Sequence, residues 1–129
     1  MGVAGVAPNV RIAAIRVGDP DGYIYPESAI CGYIWAAEHG VDIVNGSFSI
    51  DPWYFWCDSD PDQEAVSTAI QRSIAYATSR SVVAVTSLGN NYADLAHDVL
   101  DTLSPNNGTP ITHEPPTAPA SNSRSKRAE

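Results

Sequence analysis

Residues 82–91, with the sequence VVAVTSLGNN, limit what this chain can fold into more than any other stretch does. The first five are Val, Ala or Thr, the composition of a strand that is covered on both faces. A polar segment that contains Gly89 and Asn90 follows at once. Because open α/β sheets bind ligands at the carboxyl ends of their strands, this junction is a predicted strand end and a candidate site.

Two further strands and two helices are predicted around this stretch. Residues 10–17 (VRIAAIRV) and 41–47 (VDIVNGS) are rich in apolar and β-branched residues, which is typical of strands. Apolar residues recur at helical spacing over residues 26–39 and 61–79, and each segment begins with a Pro. The order is therefore β-α-β-α-β, which indicates a three-layer α/β fold with a parallel sheet.

The carboxyl ends of the three predicted strands are expected to share one edge of the sheet. Strands that alternate with helices of this length run parallel through right-handed crossovers. Residues 17–18, 45–49 and 87–91 would then line a common rim. A small α/β domain that binds another ligand at this rim is one alternative, although the chain has no G-x-G-x-x-G or phosphate loop.

A loop over residues 50–62 carries a cluster of four aromatic residues, Trp53, Tyr54, Phe55 and Trp56. We expect this cluster to cap its own loop and to shield a neighbouring edge of the core. The alternative is that the cluster forms a binding wall.

Asp58, Asp60 and Asp62 alternate in the same loop, as they would in a calcium loop. Other positions of a calcium loop do not fit. Gln63 stands where the turn needs Gly, and Ala69 stands where the bidentate Glu should be. Asp60 is instead predicted to be the N-cap of the second helix, with Pro61 at N1 and Gln63 at N3.

Composition divides the chain near residue 103. Residues 104–129 are rich in Pro, Ser, Thr and Asn, so we predict a disordered tail after a domain over residues 1–103. At the end of that domain, residues 92–103 could form a short helix. The domain holds 13 acidic residues against 4 basic ones, and the whole chain has a net charge of −8.

The acidic domain argues against nucleic acid or an anionic membrane as a partner, since both bind basic surfaces. No apolar run approaches the length of a transmembrane helix, and residues 1–4 lack the charged and apolar regions of a signal peptide. Cys31 and Cys57 match no zinc spacing. They are expected either to form one disulfide or to be two small buried residues.

Three segments, in the same order as in the family and with helices of suitable length between them, resemble the subtilisin-like serine peptidases, the subtilases of peptidase family S8. The GVAP of residues 5–8 resembles the family's GVAP segment, DIVNGSF of residues 42–48 is similar to its V-I-N-M-S-L segment, and SLGN of residues 87–90 is similar to its A-A-G-N segment. The resemblance implies that the β-α-β-α-β core is the central part of a subtilisin-like fold, and that the substrate is an extended peptide or protein.

The resemblance also implies roles for individual residues. Asn90 matches the residue whose amide donates to the oxyanion of the tetrahedral intermediate. Ser87, Leu88 and Gly89 match a wall of the pocket for the side chain that precedes the scissile bond. The segment that pairs with extended substrate is matched by Ser47, Phe48 and Ser49, with Phe48 lining a more distant apolar pocket.

The chain departs from the family pattern at the catalytic triad. A subtilase needs a Ser nucleophile, a His base and an orienting Asp, and none of their family segments is recognisable in these 129 residues. His39, His97 and His113 lack the family context; we expect His39 to lie at a helix end, His97 on a helix and His113 in the tail. The isolated chain is therefore expected to be inactive.

Two interpretations follow from this departure. The chain is expected to be a central fragment of a secreted peptidase, produced by truncation or a frameshift, or else a non-catalytic module that binds peptides. Calcium is a frequent cofactor in the family, but only residues 2–3 fall near a family calcium loop. We therefore expect no metal ligands among the side chains of this chain.

Overall fold

The computed structural model describes residue 2, residues 4–56, residues 60–90, residue 92 and residues 101–109. Two helices and two strands are described, in the order α1 (Pro26–Glu38), β1 (Ile43–Asn45), α2 (Pro61–Ser79) and β2 (Val83–Val85). The strands pair in parallel, with Ile43 opposite Val83 and Asn45 opposite Val85. The predicted α/β class and the parallel sheet are confirmed.

Helix α1 begins and ends where local signals place it. Pro26 occupies the first turn and Glu27 contributes a carboxylate favoured by the helix dipole. The helix ends at Glu38, and His39 is its C-cap rather than its last residue, one position short of the prediction. Gly40 then adopts φ +68°, a conformation that a glycine takes without strain, and the chain turns toward β1.

Helix α2 has the bounds predicted from the sequence, because its first turn is capped as expected. One carboxylate oxygen of Asp60 accepts hydrogen bonds from the main-chain N–H groups of Asp62 (3.0 Å) and Gln63 (3.2 Å). The side-chain amide of Gln63 donates to the other carboxylate oxygen at 3.2 Å. The Asp60 carboxylate thus satisfies two N–H groups that the helix itself leaves unpaired.

Two small clusters form the core between the helices and the sheet. The first cluster contains the buried residues Ala29, Ile50, Trp56 and Ile70, and the second contains Tyr33, Ala77 and Val82. The side chain of Ile74 packs against both. The indole N–H of Trp56 donates to the carbonyl of Ile50 at 3.2 Å, which satisfies its polar group on burial. Trp53 packs against the same cluster, so the prediction that the aromatic loop shields an edge of the core is confirmed for Trp53 and Trp56.

Residues 10–17 do not form the predicted first strand. Their main chain makes no backbone–backbone hydrogen bond within the described part of the chain, and Ile12 is 89% exposed. The physical reason is that a strand exists only in a ladder with a neighbour, and the only described partner of β1 is β2. Apolar and β-branched composition favours a strand but does not supply that neighbour.

The two observed strands are shorter and less covered than predicted. Residues 41–47 and 82–86 were expected, whereas each strand has three residues. Val83 and Val85 are 57% and 50% exposed, so β2 is not covered on both faces as its composition indicated. Only the preceding residue, Val82, is buried against α2.

Residues 104–109, which we assigned to the tail, are described by the structure. Ser104 is fully buried, and its hydroxyl accepts a hydrogen bond from the main-chain N–H of Tyr54 at 2.5 Å. The N–H of Asn106 donates to the carbonyl of Pro52 at 2.9 Å. The division of the chain at residue 103 stays a prediction, and the rest of the tail and most of the predicted helix over residues 92–103 lie outside the described residues.

Within the described ranges, no helix is both long enough and apolar enough to span a membrane.

Replacing the helix cap tests the account of α2. We expect Asp60→Ala to lower the free energy of unfolding by about 1 kcal/mol, because two main-chain N–H groups lose their acceptor. Asp60→Asn, which keeps an acceptor oxygen, should retain most of the stability. Urea unfolding followed by circular dichroism measures both variants, and an Asp60→Ala protein as stable as the parent would contradict the capping role.

Candidate functional site

The two strands end side by side, and their ends are held together by hydrogen bonds beyond the ladder. The N–H of Gly46 donates to the carbonyl of Val85 at 2.8 Å. The hydroxyl of Thr86 donates to the carbonyl of Gly46 at 3.1 Å. Residues 45–49 and 86–90 therefore leave the sheet from the same edge, as parallel strands require.

The first of these segments turns immediately after β1. The N–H of Phe48 donates to the carbonyl of Gly46 at 2.9 Å, and the hydroxyl of Ser47 donates to the side-chain oxygen of Asn45 at 2.6 Å. Ser47 is exposed, while Phe48 and Ser49 are half-buried. The segment is thus held by local bonds and remains open to solvent at its centre.

The second segment is open to solvent along its whole length. Ser87, Leu88, Gly89 and Asn90 are all exposed, with Leu88 at 73%. Gly89 has φ +89°, which only a glycine adopts readily, so the chain can turn before Asn90. An exposed amide next to a fixed strand end can donate a hydrogen bond to a bound group without carrying a charge of its own.

The side chain of Tyr33 in α1 lies against Gly46 of the first segment. A methyl group added at Gly46 would lie 2.5 Å from the Tyr33 hydroxyl, closer than atoms in contact can approach. The glycine is therefore needed because the tyrosine hydroxyl occupies the space of a side chain. Tyr33 is buried, and burial raises the pKa of its hydroxyl, so it stays neutral beneath the sheet edge.

Asp51 ties the first segment to the start of α1. Its N–H donates to the carbonyl of Ile24 at 2.8 Å, and its carboxylate accepts from the N–H of Ile24 at 2.5 Å. The side-chain amide of Asn106 donates to the other carboxylate oxygen. Asp51 is only 5% exposed, so these hydrogen bonds compensate the loss of water around its carboxylate.

A cavity of about 390 Å³ opens beside Asp51. Phe48 and Ser49 line it together with Asp21 and Asp51. The cavity is therefore continuous with the segment that the resemblance matches to the substrate-binding strand.

The third part of the expected rim lies near the first segment. Val17 lines a common groove with Asn45 and Phe48, although residues 10–17 are not a strand. Asn90 does not line this groove. Hydrogen bonds thus join the first expected rim segment to the end of the strand that leads into the second, and Val17 of the third segment lies close to the first.

His39 lies at the end of α1, as predicted. Its imidazole stacks on Trp35 with ring centroids 3.9 Å apart, and its Nδ1 lies 2.8 Å from the Trp35 carbonyl. These contacts hold the ring against its own helix. His97 and His113 lie outside the described residues.

Cys31 is exposed with a free thiol, so it is neither half of a disulfide nor a buried residue, contrary to both expectations. Its position on the solvent side of α1 explains the difference, and Cys57 lies outside the described residues. Among the residues that the structure describes, no three His, Cys, Asp or Glu side chains converge as metal ligands.

Comparisons with known proteins identify the family of this chain. A model of the subtilase family matches residues 1–121. The chain belongs to the subtilase family. It is 31% identical over 102 residues to fervidolysin of Fervidobacterium pennivorans, which covers 74% of this subtilase chain and 13% of fervidolysin.

Two further relatives lie at the same level of similarity. This subtilase chain is 31% identical over 90 residues to a thermophilic serine proteinase of Bacillus sp. (strain AK1), covering 70% of the chain and 19% of the relative. It is 30% identical over 90 residues to subtilisin DY of Bacillus licheniformis, covering 70% and 28%. The matched part of the chain thus spans 13% to 28% of the length of these relatives. No solved structure matches it.

The sequence did not predict the contacts that three residues make near this edge of the sheet: Tyr33, Asp51 and Thr86. The sequence placed Tyr33 only within the predicted helix over residues 26–39, and Asp51 only within the loop over residues 50–62. The one available signal was Gly46, since a glycine at a strand end indicates a close approach of another group. It does not say which group approaches.

A paired substitution tests the contact between Tyr33 and Gly46. We expect Gly46→Ala to cost about 1–3 kcal/mol of unfolding free energy, because the methyl group meets the tyrosine hydroxyl. In a Tyr33→Phe background the penalty should shrink, since the nearest remaining atoms would lie 3.6 Å from the methyl group. Chemical unfolding of the four proteins gives the coupling energy, and an equal penalty in both backgrounds would contradict the contact.

Proposed function

We propose that this chain is the part of a subtilase domain that binds extended substrate and supplies the oxyanion donor. The whole peptidase would then hydrolyse peptide bonds through an acyl-enzyme. The observation that carries this proposal is the hydrogen bond between Gly46 and Val85, which puts the two family-matched segments at one edge of the sheet.

The first segment suits an extended peptide. Ser47 is exposed, and a peptide that lies beside Ser47, Phe48 and Ser49 can exchange main-chain hydrogen bonds with them, as in other cases of strand addition. Phe48 and the adjoining cavity would receive a side chain distant from the scissile bond. The wall formed by Ser87, Leu88 and Gly89 would contact the side chain that precedes it.

Asn90 is the proposed oxyanion donor. Negative charge develops on the carbonyl oxygen only as the tetrahedral intermediate forms, so a donor aimed at that position stabilises the transition state more than the substrate. The neutral amide of Asn90 lies after a strand whose register is fixed by β1. In subtilisin, where this effect was measured, loss of one such donor lowers turnover about 100- to 1000-fold.

The isolated chain is proposed to be inactive. An oxyanion donor accelerates acyl transfer only when a nucleophile and its base are also in place, and no segment of these 129 residues matches the family's Ser, His or Asp motifs. The described histidine, His39, is held against Trp35. The triad of the whole enzyme would come from sequence outside this chain.

The remaining proposed properties rest on the family and, for the partners, on the acidic composition of the chain. We propose a secreted enzyme that acts on peptides or proteins and has neither nucleic acid nor membrane as a partner. We propose that this chain supplies no metal ligand, and that any calcium would bind through other parts of the enzyme.

Two measurements test this proposal together. The purified chain should show no label from a fluorophosphonate and no hydrolysis of a fluorogenic peptide; a labelled serine would contradict inactivity.

The gene should encode His-Gly-Thr-His upstream and Gly-Thr-Ser downstream of these residues, in some reading frame. If both are missing while an unreactive extended peptide still shifts the amide resonances of residues 47–49, the chain is a non-catalytic peptide-binding module instead.

The role of Asn90 is tested in the whole enzyme. We expect Asn90→Ala to lower kcat about 100- to 1000-fold with little change in KM, since the lost hydrogen bond belongs to the transition state. The exposed Asn107 provides a matched control, and Asn107→Ala should leave both constants unchanged. A kcat within a few-fold of the parent for Asn90→Ala would rule out the oxyanion role.

A further inference from the structure

An Asn followed by a Gly occurs twice in the chain, at residues 45–46 and at residues 107–108. The main-chain nitrogen that follows an Asn can attack the carbon of the side-chain amide and close a five-membered ring. A Gly in the second position favours this attack, because it has no Cβ to block the approach and its main chain turns freely. The structure holds the two pairs in different ways, so their reactivity should differ.

The Asn45–Gly46 pair is held by hydrogen bonds on both of the groups that would react. The N–H of Gly46 donates to the carbonyl of Val85 at 2.8 Å. The side-chain oxygen of Asn45 accepts from the hydroxyl of Ser47 at 2.6 Å. Since the attacking nitrogen and the amide it would attack are both engaged, ring closure here requires the edge of the sheet to open first.

The Asn107–Gly108 pair is exposed and unconfined. Both residues are exposed, and they lie in a turn. Among the described residues, none accepts a backbone–backbone hydrogen bond from the N–H of Gly108. A methyl group added at Gly108 would meet nothing nearer than Pro105, at 3.8 Å. The side chain of Asn107 can therefore reach the Gly108 nitrogen without any opening of the fold.

The residue before this pair is anchored. The N–H of Asn106 donates to the carbonyl of Pro52 at 2.9 Å, and its side-chain amide donates to the carboxylate of Asp51. Asn106 also lines the cavity of about 390 Å³ beside Phe48 and Ser49. A change at residue 107 is thus a change directly next to the wall of that cavity.

We propose that Asn107 is a modification site, at which the folded chain loses its side-chain amide through a cyclic imide. The Gly108 nitrogen gives its proton to the solvent and bonds to the Cγ atom of Asn107, and the side-chain nitrogen leaves as ammonia. Water then opens the ring at either of its two carbonyl carbons, giving aspartate or isoaspartate. One water is consumed and one ammonia is released, with no change of oxidation state.

The modification changes charge and main-chain length at one position. A neutral amide becomes a carboxylate, which takes the net charge of the chain from −8 to −9. In the isoaspartate product the main chain also gains one methylene group. The new carboxylate follows Asn106 in a region where Asp21 and Asp51 already line the cavity.

The two Asn-Gly pairs test the proposal within one molecule. The full chain is incubated in mildly alkaline buffer, with and without urea, and each pair is followed by peptide mass spectrometry and by enzymatic methylation of isoaspartate. In buffer we expect Asn107 to convert at least tenfold faster than Asn45, because only Asn45 requires local opening. In urea the two rates should become similar, and isoaspartate should be among the products at both positions.

Three results would overturn the proposal. Equal rates at the two positions in buffer would remove the effect of the structure. Conversion of Asn107 in urea but not in buffer would mean that the fold protects this pair as well. Conversion to aspartate without isoaspartate would indicate direct hydrolysis rather than a cyclic imide.

A substitution at the attacking residue separates the imide route from general exposure of the turn. We expect Gly108→Val to slow the conversion of Asn107 at least tenfold, because a β-branched side chain hinders the approach of its nitrogen. The added Cβ fits at this position, with Pro105 at 3.8 Å. Thr109→Val is the matched control, since it leaves the Asn-Gly pair intact and should keep the parent rate. An unchanged rate in Gly108→Val contradicts the proposal. No substrate is involved, so the result does not depend on the proposed function.

Discussion

The parallel pairing of β1 with β2 is the interaction on which the candidate site depends. It has only three residue pairs, and it continues through the hydrogen bonds from Gly46 to Val85 and from Thr86 to Gly46. Without these two hydrogen bonds, residues 45–49 and 86–90 would not be held together at one edge of the sheet. With them, the proposed peptide-binding segment and the segment bearing Asn90 share one edge, and a register shift of one residue would turn their side chains to the opposite face.

Long-range contacts support this edge from the helix layer. Tyr33 fills the space beneath Gly46, and the buried carboxylate of Asp51 joins the start of α1 to the loop after β1 and to Asn106. These contacts leave the edge itself open, with Leu88 and Asn90 exposed. A peptide-binding edge needs this combination, because the supporting layer must be packed while the main chain that meets the peptide stays accessible. Apolar residues of β2 and of residues 10–17 are exposed as well, among them Val83, Val85 and Ile12.

Local signals in the sequence predicted the elements whose stability is local. The bounds of α2 were correct because Asp60, Pro61 and Gln63 mark its first turn within four residues, and α1 was off by one residue at His39. The order of strands and helices also predicted that residues 45–49 and 87–91 share one edge, and the structure describes residues 87–90 of the second segment. Residues 10–17 were not predicted correctly, since composition describes a strand but the ladder that defines it depends on a distant neighbour.

The supporting residues of the site could not be predicted for the same reason. Asp51 meets Ile24 and Asn106, which lie 27 and 55 positions away, and no spacing rule connects them. Tyr33 and Gly46 are complementary in size only when the helix lies under the strand. The proposed roles of Asn90 and residues 47–49 come from the family resemblance rather than from periodicity or composition.

Measuring the hydrogen bond from Gly46 to Val85 tests the shared sheet edge most directly. A through-hydrogen-bond scalar coupling, measured by NMR on the isotope-labelled chain, reports which carbonyl accepts from a given amide. We expect a coupling between the amide nitrogen of Gly46 and the carbonyl carbon of Val85. A coupling from Gly46 to a different carbonyl, or a Gly46 amide that exchanges as fast as an unstructured one, would contradict it.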